Sequence, residues 1–263
     1  MKRKIMSLLL AATVFAGVLS GCGKSAGASD SDLEYIKGKG KLIVGITDFA
    51  PMDYQDDSGK WIGFDADLAR AVAADLGVEV EFTEIDWDNK ILELDNKSID
   101  VVWNGMTLTD EVASAMACTK PYLNNSQTVV VKAADASKYG TLEDVKGLKF
   151  AVEAGSAGES AADENGFEYT SVTSQSDTLM EVEAGTSDAS IIDSLMAGAM
   201  VGEGTSYADL THTVDLTTEE YVVGCRKGSD LAAYIDEEIK KFTDDGTIKT
   251  IAEAYGVQEA LVK

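Results

Sequence analysis

Few residues of this 263-residue chain are equipped to make or break a covalent bond. Its single histidine, His212, sits in a Thr-rich polar stretch and reads as a surface residue. Cys118 and Cys225 stand beside apolar residues, with no Cys-x-x-Cys spacing and no neighbouring histidine, so they read as buried free thiols or as a disulfide rather than as metal ligands. Acid is abundant: 46 Asp and Glu stand against 22 Lys and Arg, a net charge of −24 that would repel a phosphate backbone and argues against a nucleic-acid partner. Glu153 and Asp193 follow apolar strand-like runs and could be nominated as a general acid or base. No nucleophile–base pair, metal-ligand spacing or cofactor loop accompanies them, so the expectation is no catalytic residue, no metal and no cofactor.

These residues need elements to hold them. Leu42-Ile43-Val44-Gly45-Ile46 reads as a strand, and Asp65 to Leu76 as a helix with Leu68, Val72 and Leu76 at four-residue spacing, capped by Asp65 and stopped by Gly77. Val78, Val80 and Phe82 alternate with Glu79 and Glu81 in a half-buried strand; a helix around Lys90 to Leu94 then leads to a strand, Ile99 to Trp103, that ends in Asn104-Gly105. The pattern restarts after Pro121-Tyr122, with strands at Thr128 to Val131 and Lys149 to Val152 and a Gly-rich turn, Gly155-Ser156-Ala157-Gly158, before a helix. Further on, Ser176 to Ala184 reads as a helix, Ala189 to Ile192 as a strand running into Asp193, and Leu195 to Val201 as a helix. Ser229 then caps a helix, and Thr247 to Tyr255 forms the last. Alternating strands and helices argue for mainly parallel sheets flanked by helices, in two α/β lobes. Small-molecule sites in such sheets lie at the carboxyl ends of strands, and facing lobes make the crevice between them the natural site.

The chain opens with Lys2-Arg3-Lys4, an apolar run from Ile5 to Leu19, and Ser20-Gly21-Cys22, which reads as an export signal over residues 1–21. Cys22 directly after Leu19-Ser20-Gly21 resembles a bacterial lipobox of the Gram-positive form, in which that cysteine is lipidated and heads the mature chain. An ordinary secretory signal with a stray cysteine is the alternative. Residues 22–32 then form the lipid-bearing cysteine and a small, polar, flexible tether. Cleavage removes three positive charges, Lys2, Arg3 and Lys4, from the net of −24 and leaves −27. An anionic membrane would repel such a body, so a covalent anchor at the outer face of the cell membrane makes physical sense. No coiled-coil heptads or exposed apolar stripe are evident, and a monomer is expected.

Gly63-Phe64-Asp65-Ala66-Asp67-Leu68, opening a helix after Asp48-Phe49-Ala50-Pro51, resembles the signature of the extracellular polar-amino-acid-binding proteins of ABC importers. Asp86-Trp87-Asp88, then Asp100 to Glu111, Lys120-Pro121-Tyr122, Asp188 to Asp193 and Arg226 to Asp230 follow in the same register, so the resemblance runs from about Leu33 to Gly256. It implies a two-lobed periplasmic-binding-protein fold of type II, a Venus flytrap. Lobe 1 would be discontinuous (33–121 plus 222–263), lobe 2 would span 122–221, and two hinge strands would cross at 122–126 and 217–221. It further implies a ligand clamped between Phe49 and Trp87, bonded by Asn104, Gly105, Met106 and Thr107 and by backbone amides at Ser156 and Ala157, with its α-ammonium on Asp193. A helix cap is the other role open to Asp193.

The chain departs from this family where an arginine should follow the Thr-x-Thr-x-Glu segment and hold the ligand carboxylate: Thr107-Leu108-Thr109-Asp110-Glu111 is followed by Val112. Of the three arginines, Arg3 lies in the signal, Arg70 in the first-lobe helix and Arg226 in a polar turn. Glu153 also stands where many relatives have lysine or a neutral polar residue, and Asp48, Asp86 and Asp88 add acid near the expected mouth. Two readings follow: a cationic amine without a carboxylate, or an amino acid whose carboxylate is held by amides and Lys120 while the acids face water. The functions that remain are a lipid-anchored binding protein delivering a small amino acid or amine to an ABC permease, a sensor presenting its closed state to a receptor, and a dehydratase-like enzyme on the same fold.

Overall fold

A computed structural model describes residues 31–263; the expected signal, Cys22 and the tether up to residue 30 lie outside the described residues. Two sheets organise the rest. In the first, strands run in the order Glu79–Glu84, Lys41–Ile46, Val101–Thr107, Glu219–Arg226, Met116–Cys118. The first three are mutually parallel, while Glu219–Arg226 runs antiparallel to its neighbours. The second sheet repeats the plan, with Glu168–Val172, Lys149–Glu153 and Ala189–Asp193 parallel and Gln127–Lys132 and Leu210–Asp215 antiparallel. The expected α/β fold is present, each sheet being parallel on one side and antiparallel on the other.

The burial pattern explains the strands. Val101 to Met106 is buried on both faces, as a continuous apolar run in a central strand should be, whereas Glu79–Glu84 alternates exposed glutamates with part-buried Val80 and Phe82 at the sheet edge. The helix Phe64–Leu76 begins one residue earlier than its periodicity suggests and ends at Gly77 in the left-handed conformation. Asp65 does not cap it. Gly63 holds the cap position at φ 129°, where a Cβ would lie 2.1 Å from the Met52 carbonyl oxygen, and Asp65 turns inward. Sequence patterning also misses several short pieces, among them the helix Asp32–Lys39 and the strands Met116–Cys118 and Leu210–Asp215.

Two strands connect the sheets. Leu123–Asn125 pairs antiparallel with the first residues of Glu219–Arg226, with Asn125 opposite Glu219 and Leu123 opposite Tyr221. The chain end reinforces this crossing: the Val262 N–H donates to the Tyr122 carbonyl at 3.1 Å, and Asn124 donates to the Ala260 carbonyl at the same distance.

Cys118 and Cys225 are both free thiols. Cys118 lies opposite Gly224 and Cys225 opposite Ala117, so neighbouring positions on paired strands send the two sulfurs to opposite faces of the sheet. His212 is exposed, as its surroundings suggest. Arg226 is not in a polar turn: it is 8% exposed at a strand end, its guanidinium donating to both oxygens of Asp32, to Asp100 and to the Ile99 carbonyl. Among the described residues no helix is long and apolar enough to cross a membrane.

Candidate functional site

The carboxyl end of the central strand Val101–Thr107 meets the Gly-rich turn of the second sheet, and a cleft forms between them. Phe49, Trp87, Asn104, Gly105, Met106, Thr107 and Val112 line one wall, and Glu153, Ser156, Ala157, Gln175 and Asp193 the other. Ten of the eleven expected ligand residues are therefore in one place. Asp48 is the exception: it is exposed, and it lines an adjoining depression with Thr47, Asp86, Glu93, Thr173 and Ser174. Lys120 is also elsewhere, on the surface of the first lobe beside Asp236.

The first wall is held from behind. Asp65, fully buried, accepts the Gly105 N–H at 2.6 Å and the Tyr122 hydroxyl at 2.8 Å, tying the ligand-facing strand to the start of the first crossing. Burial raises the Asp65 carboxyl to about 7, against the pull of those two donors. The Gly105 amide is thus committed inward, and the space at this glycine is not open to a ligand either. At φ +55°, a Cβ there would lie 2.5 Å from the Phe49 ring and 3.0 Å from that of Tyr221. The glycine admits the two aromatic rings, which meet edge to face at 6.4 Å between centroids. The Asn104 side chain is likewise occupied, accepting the Thr47 N–H at 3.0 Å and donating to the Thr47 hydroxyl at 2.7 Å. Thr107 donates to Glu219 at 2.9 Å.

The second wall is acidic and buried. Asp193, 3% exposed, accepts from the Tyr221 hydroxyl at 2.6 Å, from Gln127 at 3.1 Å, and from Asn125 and Gln175. Gln175 brackets it, because its carbonyl oxygen also accepts the Asp193 N–H at 3.0 Å. Three of the donors converge on Oδ1, so Oδ2, with Gln175 alone, retains an acceptor position toward the cleft. No side-chain cap bond joins Asp193 to the helix Ser194–Met200 that follows. Burial first, then the charge of Glu219, raises the Asp193 carboxyl to about 7. Glu153 is 2% exposed rather than facing water, and its Oε1 has no hydrogen-bond partner. Burial, then Asp193, raises it to about 8. Ser156 caps the helix Ala157–Asn165 by accepting the Glu159 N–H. Its own N–H is turned back to the Glu153 carbonyl at 3.3 Å, so Ala157 is the residue that brings a first-turn amide to the cleft.

Lys90 belongs to the site although its sequence context did not single it out. It is 4% exposed, at the first turn of the helix Lys90–Asp95, and its ammonium donates to the Gly155 carbonyl across the cleft at 2.8 Å and to the Trp87 carbonyl at 3.3 Å. It also lies 5.0 Å from the centre of the Trp87 ring. Burial lowers its pKa, opposed by Glu111, Glu153 and Asp88. Gly155 itself, at φ +69°, sits so close to Asp88 that a Cβ would fall 2.8 Å from the Asp88 Cα. The walls are therefore in contact, and the lobes are closed.

An interlobe cleft with a buried acid, an aromatic pair and a strand-end backbone is the arrangement expected of solute capture. Residues 42–258 match the bacterial extracellular solute-binding proteins, family 3. The chain belongs to that family. It is 30% identical to the arginine-binding extracellular protein ArtP of Bacillus subtilis over 97% of this chain and 98% of that one. With the L-cystine-binding protein TcyJ of Escherichia coli it shares 28% identity over 90% and 91%. Among solved structures, a substrate-binding protein of a Streptococcus pneumoniae ABC uptake transporter with bound histidine superposes with a TM-score of 0.81 at 28% identity, covering 89% of this chain and 99% of that one. An ancestral amino acid-binding protein described as a precursor of cyclohexadienyl dehydratase gives 0.79 at 33%, over 86% and 99%.

Among the described residues no group of three or more His, Cys, Asp or Glu side chains is placed to hold a metal ion. What the site offers instead is two raised carboxyls, an ammonium and two aromatic faces.

Proposed function

We propose that this protein is the substrate-binding component of an ABC importer, closing its two lobes over a small amino acid or related amine and delivering it to a membrane permease. One observation carries the reading: Glu153 and Asp193 are buried side by side in the closed cleft, opposite Phe49 and Trp87, and Glu153 Oε1 has no partner. A buried carboxyl without a hydrogen bond is costly, and a ligand ammonium supplies both the bond and the countercharge. Family membership and relatives named for arginine, cystine and histidine binding point the same way. In this reading Phe49 and Trp87 hold the ligand side chain, while Met106, Thr107, Ser156 and Ala157 shape the walls. Asn104 and Gly105 act from behind, fixing Thr47, Asp65 and the Phe49 ring.

Lobe 1 comprises 33–121 and 222–263, lobe 2 comprises 122–221, and the crossings at 122–126 and 217–221 act as hinges. Support comes from the paired strands Leu123–Asn125 and Glu219–Tyr221, which carry the chain between the sheets. Leu19-Ser20-Gly21-Cys22 supports export followed by lipid anchoring through Cys22, with the body working as a monomer outside the cell membrane. The role is binding and not catalysis, which the relatives named above for binding arginine and L-cystine support.

The test is a thermal-shift screen of protein stripped of ligand by unfolding and refolding, against the twenty amino acids, L-cystine and the amines left when each loses its α-carboxyl group. A ligand at a hundredfold over its dissociation constant stabilises by about 2.7 kcal/mol, a readily seen shift. Silence from every compound would overturn the reading.

A further inference from the structure

Lys90 and Glu153 face the same cleft from opposite lobes, and each is a buried ionisable group without an ion pair. Among the described residues no carboxylate forms a salt bridge with Lys90; its ammonium reaches only the carbonyls of Trp87 and Gly155, which leaves one of its three protons uncommitted. Glu153 Oε1 is buried without any donor. A charge withdrawn from water needs a close countercharge; Lys90 has acids at longer range but none within salt-bridge distance, and no donor reaches Glu153 Oε1.

Val112, 2% exposed, lines the same wall. Its backbone N–H is bonded to the Thr109 hydroxyl at 3.2 Å, so this position presents only an apolar side chain. Arg70 is spent on Asp67 and the Trp61 carbonyl, and Arg226 on Asp32 and Asp100, so neither faces the cleft. Among the described residues, Lys90 is the one Lys or Arg lining it.

We infer that Lys90 is the carboxylate-binding residue of this site and that, with Glu153 taking the ammonium, it makes the protein selective for zwitterionic α-amino acids over the corresponding amines. A zwitterion neutralises both orphaned charges at once. An amine answers Glu153 but leaves Lys90 unpaired and adds a second cation beside it. The position of Lys90 also couples the ligand to closure. Its bond to the Gly155 carbonyl spans the two lobes, so a carboxylate held by the remaining proton sits at a contact that exists only when the lobes meet. The inference rests on the solute-binding reading above and narrows its ligand class.

Isothermal titration of the stripped protein decides it, using each of the twenty amino acids and L-cystine beside its own decarboxylated amine. The expected result is at least one amino acid bound about a hundredfold more tightly than its amine, the scale of one charge-assisted bond. Lys90→Met, which keeps an unbranched side chain of similar length, lowers that ratio to about one, and Lys90→Arg keeps it above about tenfold. The melting transition of each ligand-free variant separates a changed preference from a failure to fold, and the wild-type ratio stands whatever the variants do. Wild-type protein that binds an amine as tightly as its amino acid overturns the inference, as does an unchanged ratio in Lys90→Met. Either result leaves solute binding intact, whereas silence toward both sets removes that reading and this one together.

Discussion

Arg226 and Lys90 are cations buried to similar depth in the first lobe, 8% and 4% exposed, at opposite ends of its sheet. Arg226 lies where the central strand begins, and its guanidinium is filled by Asp32, Asp100 and backbone carbonyls. Lys39 adds a second cation to Asp100, so that corner is neutral within itself. Lys90 lies near the end where the strand finishes, with two carbonyls and no carboxylate. Of these two cations, the one that ties the start of the chain to the sheet is neutralised by carboxylates of its own lobe, and the one at the contact between the lobes is not.

That contrast can be broken most sharply at Arg226. Removing one partner of a buried ion pair strands the other, so Arg226→Met should destabilise the protein by about 3–5 kcal/mol in urea unfolding. Lys90→Met, which strands no ion-pair partner and leaves only the Trp87 and Gly155 carbonyls without their donor, should cost less, about 1–2 kcal/mol. Equal losses would show that both lysine and arginine are structural.

A smaller effect is expected from Glu153→Gln. It removes the charge that answers a ligand ammonium and should weaken binding by about 1.5–3 kcal/mol in titration calorimetry. The ligand-free variant should melt close to the parent at neutral pH, because burial already holds the Glu153 carboxyl neutral there.

The smallest effect is a dependence on pH. Asp65 and Asp193 near 7 and Glu153 near 8 lie well above the ordinary carboxylate range because they are buried. Between about pH 4 and 8 the folded state holds protons that the unfolded state releases, so stability falls as pH rises. The ligand-free protein should be more stable at pH 5 than at pH 8. Saturating ligand should flatten the slope at its alkaline end, because Glu153 then ionises against the ligand. A slope of opposite sign in the ligand-free melting curves would refute this assignment.

The fold was largely legible because its signals are local: the continuous apolar run at Val101, the four-residue spacing from Leu68 to Leu76, and the glycine that stops that helix. Most of the cleft followed from the family's register. What stayed hidden depends on contacts between distant residues. Lys90 sits in a stretch that reads as an ordinary amphipathic helix, and only the meeting with Gly155, sixty-five residues away, shows that its head is enclosed. Asp65 had every mark of a helix cap until Gly105 and Tyr122 claimed it from within. Asp48 erred the other way: its register suggested a ligand contact, but it turns outward beside the cleft. Charge in a sequence carries a sign without a direction, and the direction is set by which strand end the residue meets.

The fastening of the chain's first described residues has a mechanical side. Ser31 donates to Asp230 at 2.5 Å and Asp32 is gripped by Arg226, so the polypeptide joins the body on the lobe that also carries the last helices. Among the described residues, the start of the chain is therefore fixed to the lobe that holds Arg226 and Asp230, while the second sheet is joined to that lobe through the paired strands Leu123–Asn125 and Glu219–Tyr221.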